Sequence, residues 1–198
     1  MSKYADVYTS FVPWLEDRRS NVYSQFGEDG LIAACLERIG VTNRQCFECG
    51  AGDGKWLSNT RRLVEEGWRA CWIENSAHNF MQLIRNIPKG GKVKAIPAPM
   101  TPGNVNSMLA ELPDDMDLGV LDIDGEDYWV WQAMESRPRV MMVEFSPYQQ
   151  DQEALPAQGT DVRDQAPLGP IASLGERKGY EMVAATFCNA LFVLKDLL

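Results

Sequence analysis

Residues 45–54 read QCFECGAGDG. The first half, Gln45–Cys49, predicts a short buried strand, and the second half predicts a glycine-rich turn. Glycine adopts backbone conformations that other residues avoid, and it lets the backbone approach a ligand closely. In an open parallel sheet, such a turn lies at the carboxyl end of a strand, where ligands bind. The stretch therefore predicts the ligand-binding turn of an α/β fold.

Strands and helices alternate around this turn. A helix is predicted over Glu28–Ile39, because its apolar residues form one stripe and Gly40 supplies a C-terminal cap. The remaining strands are short and apolar, as expected when helices cover both faces of a sheet. The pattern predicts a doubly wound, mostly parallel sheet with an antiparallel edge. Its further strands are expected at Ala70–Glu74, Lys92–Ile96, Leu118–Ile123, Val140–Phe145, Glu181–Thr186 and Ala190–Leu194.

The length of 198 residues suits one domain. Residues 1–22 lack clean periodicity and are expected to form an N-terminal extension with a short helix, while residues 23–198 form the ligand-binding domain. Residues 147–168 are rich in Gln, Asp, Pro and Gly. A long segment of this kind within a compact domain predicts either a functional lid or a disordered loop.

Composition narrows the choice of partners and compartment. A net charge of −9 repels a phosphate backbone, so no nucleic-acid partner is expected. The sequence has no apolar run long enough for a membrane span and no signal-peptide pattern at its start. Its five cysteines are an odd number and lie mostly in apolar runs. Reduced thiols of this kind favour a cytoplasmic protein.

The charges of the turn indicate which ligand it binds. A dinucleotide-binding turn would have a third glycine at position 55, which is Lys55. Glu48 and Asp53 would place negative charge beside a pyrophosphate, whereas a sulfonium or an amino group would be favoured there. Glu74 ends the next strand, where a carboxylate can accept hydrogen bonds from ribose hydroxyls. These features favour S-adenosylmethionine (SAM) over NAD.

At this point the chain resembles the FkbM-type branch of class I SAM-dependent methyltransferases. The resemblance spans residues 23–197 and depends on the order and spacing of several short motifs. These are Ser24–Gly30, Glu48–Gly54, Leu57–Thr60, Trp72–Glu74, Leu121–Gly125, Gly179–Tyr180 and Asn189–Val193.

The resemblance implies a seven-stranded sheet whose last strand is antiparallel, with helices on both faces. It also implies that Glu48, Gly50 and Gly52 line the methionine part of SAM, that Glu74 binds the ribose, and that Met100 flanks the adenine. The other cofactor-binding candidates are Ala51, Asp53, Asn59, Asn75 and Asp122.

Acidic residues crowd the end of the fourth strand of the domain. Asp122 and Asp124 come there, and Glu144 ends the neighbouring strand, so these carboxylates are expected to lie close together. Asp124 and Glu144 could hold a Mg²⁺ ion that activates a substrate hydroxyl, or Asp122, Asp124 or Glu144 could act as a general base. A purely structural alternative is a turn at Asp124, with Glu126 or Asp127 capping the next helix.

These features together predict an O- or N-methyltransferase that acts on a small molecule or a sugar. One alternative is a binding or scaffold protein that kept the fold and lost the acceptor site. A less favoured alternative is an enzyme that binds NAD or a nucleoside. The sequence leaves the oligomeric state open.

Overall fold

The computed structural model describes residues 8–148, 155, 157–158 and 165–198. Its centre is an eight-stranded sheet in the order β1-β7-β8-β6-β5-β2-β3-β4. The four contacts among β2 to β6 are parallel, and β8 is antiparallel to both β6 and β7. The strands are Thr9–Ser10 (β1), Gln45–Cys49 (β2), Arg69–Ile73 (β3), Lys92–Ile96 (β4), Leu118–Leu121 (β5), Val140–Glu144 (β6), Tyr180–Ala185 (β7) and Asn189–Leu194 (β8).

Helices cover both faces of the sheet. They are Glu28–Ile39 (α1), Arg61–Glu65 (α2), Ala77–Asn86 (α3), Val105–Leu109 (α4), Asp127–Ala133 (α5) and Leu168–Arg177 (α6). Apolar residues of α1, α2 and α3 form one buried cluster, and those of α4, α5 and α6 form the other. The central strands β5 and β6 contribute to both clusters, which explains why their sequences are apolar throughout.

The structure confirms the predicted sheet but changes its size. The prediction of seven strands was wrong by one, because Thr9–Ser10 pairs antiparallel with β7. Thr9–Ser10 lies in the N-terminal segment 1–22, where a short helix was expected. Among its described residues, 8–22, the helical element is a 3₁₀ turn at Pro13–Leu15. A two-residue strand leaves no periodic pattern in a sequence. The prediction of an antiparallel last strand is confirmed by β8.

Several boundaries differ from the predictions by a few residues. The strand predicted at Leu118–Ile123 ends at Leu121, which leaves Asp122 in the loop that follows. The helix expected near Pro170 begins at Leu168, where Pro170 still lies in the first turn and costs no hydrogen bond. Most of the predicted lid, namely residues 149–154, 156 and 159–164, falls outside the described residues. No described helix is long and apolar enough to cross a membrane.

The turn after β2 is held between two neighbouring strands. Gly50 and Ala51 both donate their N–H groups to the Ile73 carbonyl, at 2.9 and 3.1 Å. On the other side, a Cβ at Gly50 would lie 1.6 Å from the Asp122 carbonyl oxygen. Gly50 also has a φ of +78°, a conformation that residues with a Cβ atom rarely adopt. Only glycine therefore fits between the ends of β3 and β5.

We expect Gly50→Ala to destabilise the fold more than Gly67→Ala. Both glycines have positive φ, but a Cβ at Gly67 would meet no atom within 4 Å. Gly67→Ala should therefore cost only the conformational strain, roughly 1–2 kcal/mol. Gly50→Ala should cost about 1–3 kcal/mol more, because the end of β5 must move. Urea denaturation of the two variants measures this difference, and equal losses would contradict the packing described here.

Candidate functional site

A cavity of about 920 Å³ opens at the carboxyl ends of the parallel strands. Small-molecule and cofactor sites are typically about 300–1,000 Å³ in volume. The turn at residues 50–53, the end of β3 and the loop after β5 all line this cavity. The structure thus brings most of the predicted site residues to one place.

The glycine turn supplies the backbone wall of the cavity. Gly50, Ala51, Gly52 and Asp53, four of the residues predicted to bind the cofactor, all line it. Gly52 has a φ of +55°, and the space that a Cβ would occupy there is open. The Oδ1 atom of Asp53 accepts the N–H groups of residues 55 and 56, at 2.9 and 2.6 Å. Asp53 therefore shapes the turn through that oxygen as well as lining the cavity.

Glu74 joins the turn to the end of β3. Its Oε2 atom accepts the Gly52 N–H at 2.8 Å, and its Oε1 atom accepts the Ser76 N–H at 2.6 Å. A carboxylate oxygen can accept more than one hydrogen bond, so both oxygens keep acceptor capacity for a ligand. Asn75 and Met100 line the same side of the cavity.

Glu48 lies behind the turn instead of facing a ligand. It is not among the described residues that line the cavity, and only 2% of its surface is exposed. Its carboxylate accepts the hydroxyls of Ser58 and Thr60 and the backbone N–H of Asn59, at 2.6–2.7 Å. Burial raises the pKa of Glu48, and these hydrogen bonds lower it in part.

Glu48 therefore holds the segment that carries Asn59, which does line the cavity. The contact predicted between Glu48 and the methionine part of a cofactor is replaced here by a positioning role. The sequence showed that an acid precedes the turn, but it did not show that three donors from residues 58–60 surround that acid.

Asp122 and Glu144 form a carboxyl pair at the cavity wall. Leu121 and Val143 are partners in the β5–β6 pairing, so the residues that follow them lie side by side. The two carboxyls are close enough to shift each other's pKa. Burial raises the pKa of both, and nearby Asp127 raises both further. Asp122 also raises the pKa of Glu144, whereas Glu144 lowers that of Asp122. The pair therefore retains a proton at neutral pH, as two adjacent carboxyls commonly do.

Asp124 lines the same cavity, and its charge raises the pKa of both members of the pair. It is exposed in a turn with a φ of +57°, while the buried Asp127 accepts the N–H groups of Ile123 and Gly125. The structural alternative expected a turn at Asp124, which is present, and a helix cap from Glu126 or Asp127. Glu126 is the N-cap residue of α5 but makes no side-chain capping bond, while Asp127 lies in the first turn and stabilises the preceding loop.

The predicted Mg²⁺ site at Asp124 and Glu144 is not supported. Across the described ranges, no three His, Cys, Asp or Glu side chains are grouped so that they could hold a metal ion. The physical reason is that burial beside Asp122 raises the pKa of Glu144 and favours its neutral form, while its Oε2 atom accepts the side-chain amide of Gln165. Divalent cations of this kind need ionised carboxylates with free oxygens.

Two site residues were missed by the sequence analysis. Glu28 and Asn189 line the cavity although they are 161 positions apart, and the Asn189 amide donates to Glu28 Oε1 at 3.3 Å. Both belong to motifs on which the family resemblance depends. Glu28 had a structural explanation in the first turn of a helix, so its sequence position alone did not indicate a site.

The described ends of the predicted lid segment lie beside the carboxyl pair. Gln165 contacts Glu144, and the Ser146 N–H donates to the Ala166 carbonyl at 2.9 Å. Tyr148 stacks edge-on against Phe187 with a centroid distance of 6.1 Å and is 78% exposed. These contacts place both ends of the segment next to the candidate site.

Solved structures of methyltransferases share this fold. A candidate caffeoyl-CoA O-methyltransferase from Staphylococcus aureus is 12% identical, with a TM-score of 0.59 over 88% of this chain and 85% of that chain. An S-adenosylmethionine-dependent methyltransferase from Clostridium acetobutylicum ATCC 824 is 11% identical, with a TM-score of 0.53 over 84% and 90%. Magnesium protoporphyrin IX methyltransferase from Synechocystis PCC 6803, with bound SAM, is 14% identical, with a TM-score of 0.52 over 83% and 76%.

No profile of a known protein family matches the chain, and no curated protein sequence matches it either. The FkbM-type resemblance is therefore not confirmed at the level of that branch. At identities this low, the solved structures establish the fold alone. The chain has the Rossmann-like fold of class I methyltransferases, with one additional edge strand.

We expect Glu144→Gln to become more stabilising, relative to the natural chain, as pH rises. The pKa of Glu144 is raised in the folded state. Unfolding therefore releases its proton when the pH is above the pKa of a glutamate in the unfolded chain. Stability is thus lost as pH rises towards the folded pKa, and glutamine removes this loss. Urea denaturation at about pH 5 and about pH 9 measures the change. Glu181→Gln, at an exposed position of β7, is the control. A Glu144→Gln effect that is equal at both pH values would contradict the buried carboxyl pair.

Proposed function

We propose that this protein is a SAM-dependent methyltransferase that methylates an oxygen or nitrogen of a small molecule. The observation that carries the proposal is that Glu74 and the glycine turn are hydrogen-bonded to each other on one wall of the cavity. This arrangement offers a backbone surface and a carboxylate to the same ligand. It is what an adenosine-containing ligand with a positively charged group requires.

The residues present fit SAM. Gly52 leaves open the space that a side chain would fill, so the turn can approach the methionine part closely. Glu74 would accept the ribose hydroxyls, and Met100 and Asn75 would border the adenosine. Asp122, at the end of β5, would lie near the positively charged part of the cofactor. The cavity has room for a cofactor and a small acceptor together.

When bound, SAM would supply an electrophilic methyl group, and the chain would supply position and a proton acceptor. Orienting two reactants can lower a barrier by roughly 7–11 kcal/mol, so no covalent nucleophile is required. Asp122 and Glu144 are the candidates for the base, because they line the cavity side by side at the ends of β5 and β6, where a carboxylate could accept a proton from the acceptor. Asp124 is a weaker candidate, because its exposed turn position leaves it well solvated.

We expect Glu74→Ala to weaken the binding of S-adenosylhomocysteine (SAH) at least tenfold. Hydrogen bonds to a charged acceptor contribute about 1.5–3 kcal/mol, and the variant also frees the Gly52 N–H from its partner. Isothermal titration calorimetry measures the affinity. Glu74→Gln is the matched variant, since it keeps the size of the side chain and one acceptor oxygen. Its affinity for SAH should fall between that of the natural chain and that of Glu74→Ala.

Thermal-shift measurements with SAM, NAD and ADP test the class of cofactor. The proposal expects stabilisation by SAM and little by NAD or ADP, because Lys55 stands in place of the third glycine and acids surround the turn. Preferential stabilisation by NAD would show that the protein is a dinucleotide-binding enzyme instead. Unchanged SAH affinity in Glu74→Ala would remove Glu74 from the cofactor site.

A further inference from the structure

Four polar side chains form a row along the cavity wall, which runs from the loop after β5, beside the glycine turn, to the start of α1. Asp122 follows β5, Glu144 ends β6, and Asn189 begins β8 as the pairing partner of Glu144. Glu28, at the start of α1, accepts the Asn189 amide. We call these four residues the polar row. Apart from Asp122, which borders both parts, the residues proposed to hold the cofactor belong to the ends of β2, β3 and β4, so the rest of the polar row lies in the acceptor half of the cavity.

Asn189 presents an unused hydrogen-bond acceptor in this row. The residue is 5% exposed, and its Oδ1 has no hydrogen-bond partner among the described residues. Its amide nitrogen must face Glu28, because the Glu28 carboxylate can only accept, which leaves the carbonyl oxygen as the free group. A buried acceptor without a partner is unfavourable, and a hydrogen-bond donor from a ligand would remove that cost.

The charged residues that are described along the cavity wall are all acidic. Besides the acids of the polar row, Asp53, Glu74, Asp124 and Glu126 line it. Among the described lining residues there is no Lys, Arg or His. Carboxylate, phosphate or sulfate groups would meet only like charge there, and a ligand with N–H donors and positive charge would find partners.

We propose that the methyl acceptor carries a protonated amine, which the polar row binds through Glu28, Glu144 and the free oxygen of Asn189. This inference rests on the proposed function, since it names the substrate class of that same site. Glu28 and Asn189 supply fixed, buried acceptors, and Glu144 supplies a carboxyl that ionises when a positive charge comes beside it. The raised pKa of Glu144 agrees with this assignment, because its cause is burial among other acids without a cation.

The body of such an acceptor has apolar surface nearby. Phe26 and Phe187 pack with a centroid distance of 5.3 Å, and they adjoin Gln25 and Cys188, two residues that line the cavity. An arylalkylamine therefore matches both features. Tyramine is a suitable probe, with tyrosol as its neutral analogue and 4-hydroxyphenylacetate as its anionic analogue.

Calorimetric titration of the SAH-saturated protein with these three compounds tests the inference. Tyramine should bind at least about tenfold more tightly than tyrosol, equivalent to about 1.4 kcal/mol, and 4-hydroxyphenylacetate should bind most weakly. Glu144→Gln should reduce the preference for tyramine to about threefold or less, because it removes the ionisable partner. Asn189→Leu should also reduce it. Glu126→Gln, which lines the cavity outside the polar row, is the control and should keep most of the preference.

The outcomes separate the inference from the proposed function. If SAH does not bind, the proposed function fails, and the preference for tyramine can still be measured on the protein alone. If SAH binds but tyrosol or 4-hydroxyphenylacetate matches tyramine, the amine assignment is overturned. Absence of binding for all three compounds at millimolar concentration would also overturn it, as would an unchanged preference in Glu144→Gln and Asn189→Leu.

Discussion

The structure of the site depends on the tight contact between the glycine turn and the two strands beside it. Gly50 donates its N–H to the end of β3 and lies against the Asp122 carbonyl at the end of β5. This contact fixes the distance between the Glu74 side of the cavity and the Asp122 side. A side chain at position 50 would separate the two strands, and the carboxylates would no longer face one volume.

The second constraint is electrostatic. Acids gather at the carboxyl ends of the strands, and the cavity wall within the described residues has no basic group to neutralise them. The protein tolerates this in two ways. Glu48 and Asp127 accept hydrogen bonds from backbone and hydroxyl donors and stabilise the frame. Burial raises the pKa of Asp122 and Glu144, which favours their neutral forms, and a positively charged ligand beside them would favour ionisation.

The sequence predicted the frame well and the roles of individual acids less well. The bounds of α1, β2 and β4 follow from apolar patterning and glycine caps and agree to the residue. The edge strand β1 is too short to leave a pattern. The family resemblance implied that Glu48 lines the methionine part of the cofactor, whereas the direction of its side chain depends on donors at residues 58–60. The contact of Glu28 with Asn189 joins opposite ends of the chain, so local patterns do not show it.

A crystal structure of the protein with SAH tests the central claim most directly. We expect the ribose hydroxyls to lie within hydrogen-bond distance of Glu74 and the methionine part to lie over the turn at residues 50–52. The polar row should remain free beside the sulfur. A ligand bound elsewhere, or bound in this cavity with Glu74 turned away from the ribose, would contradict it.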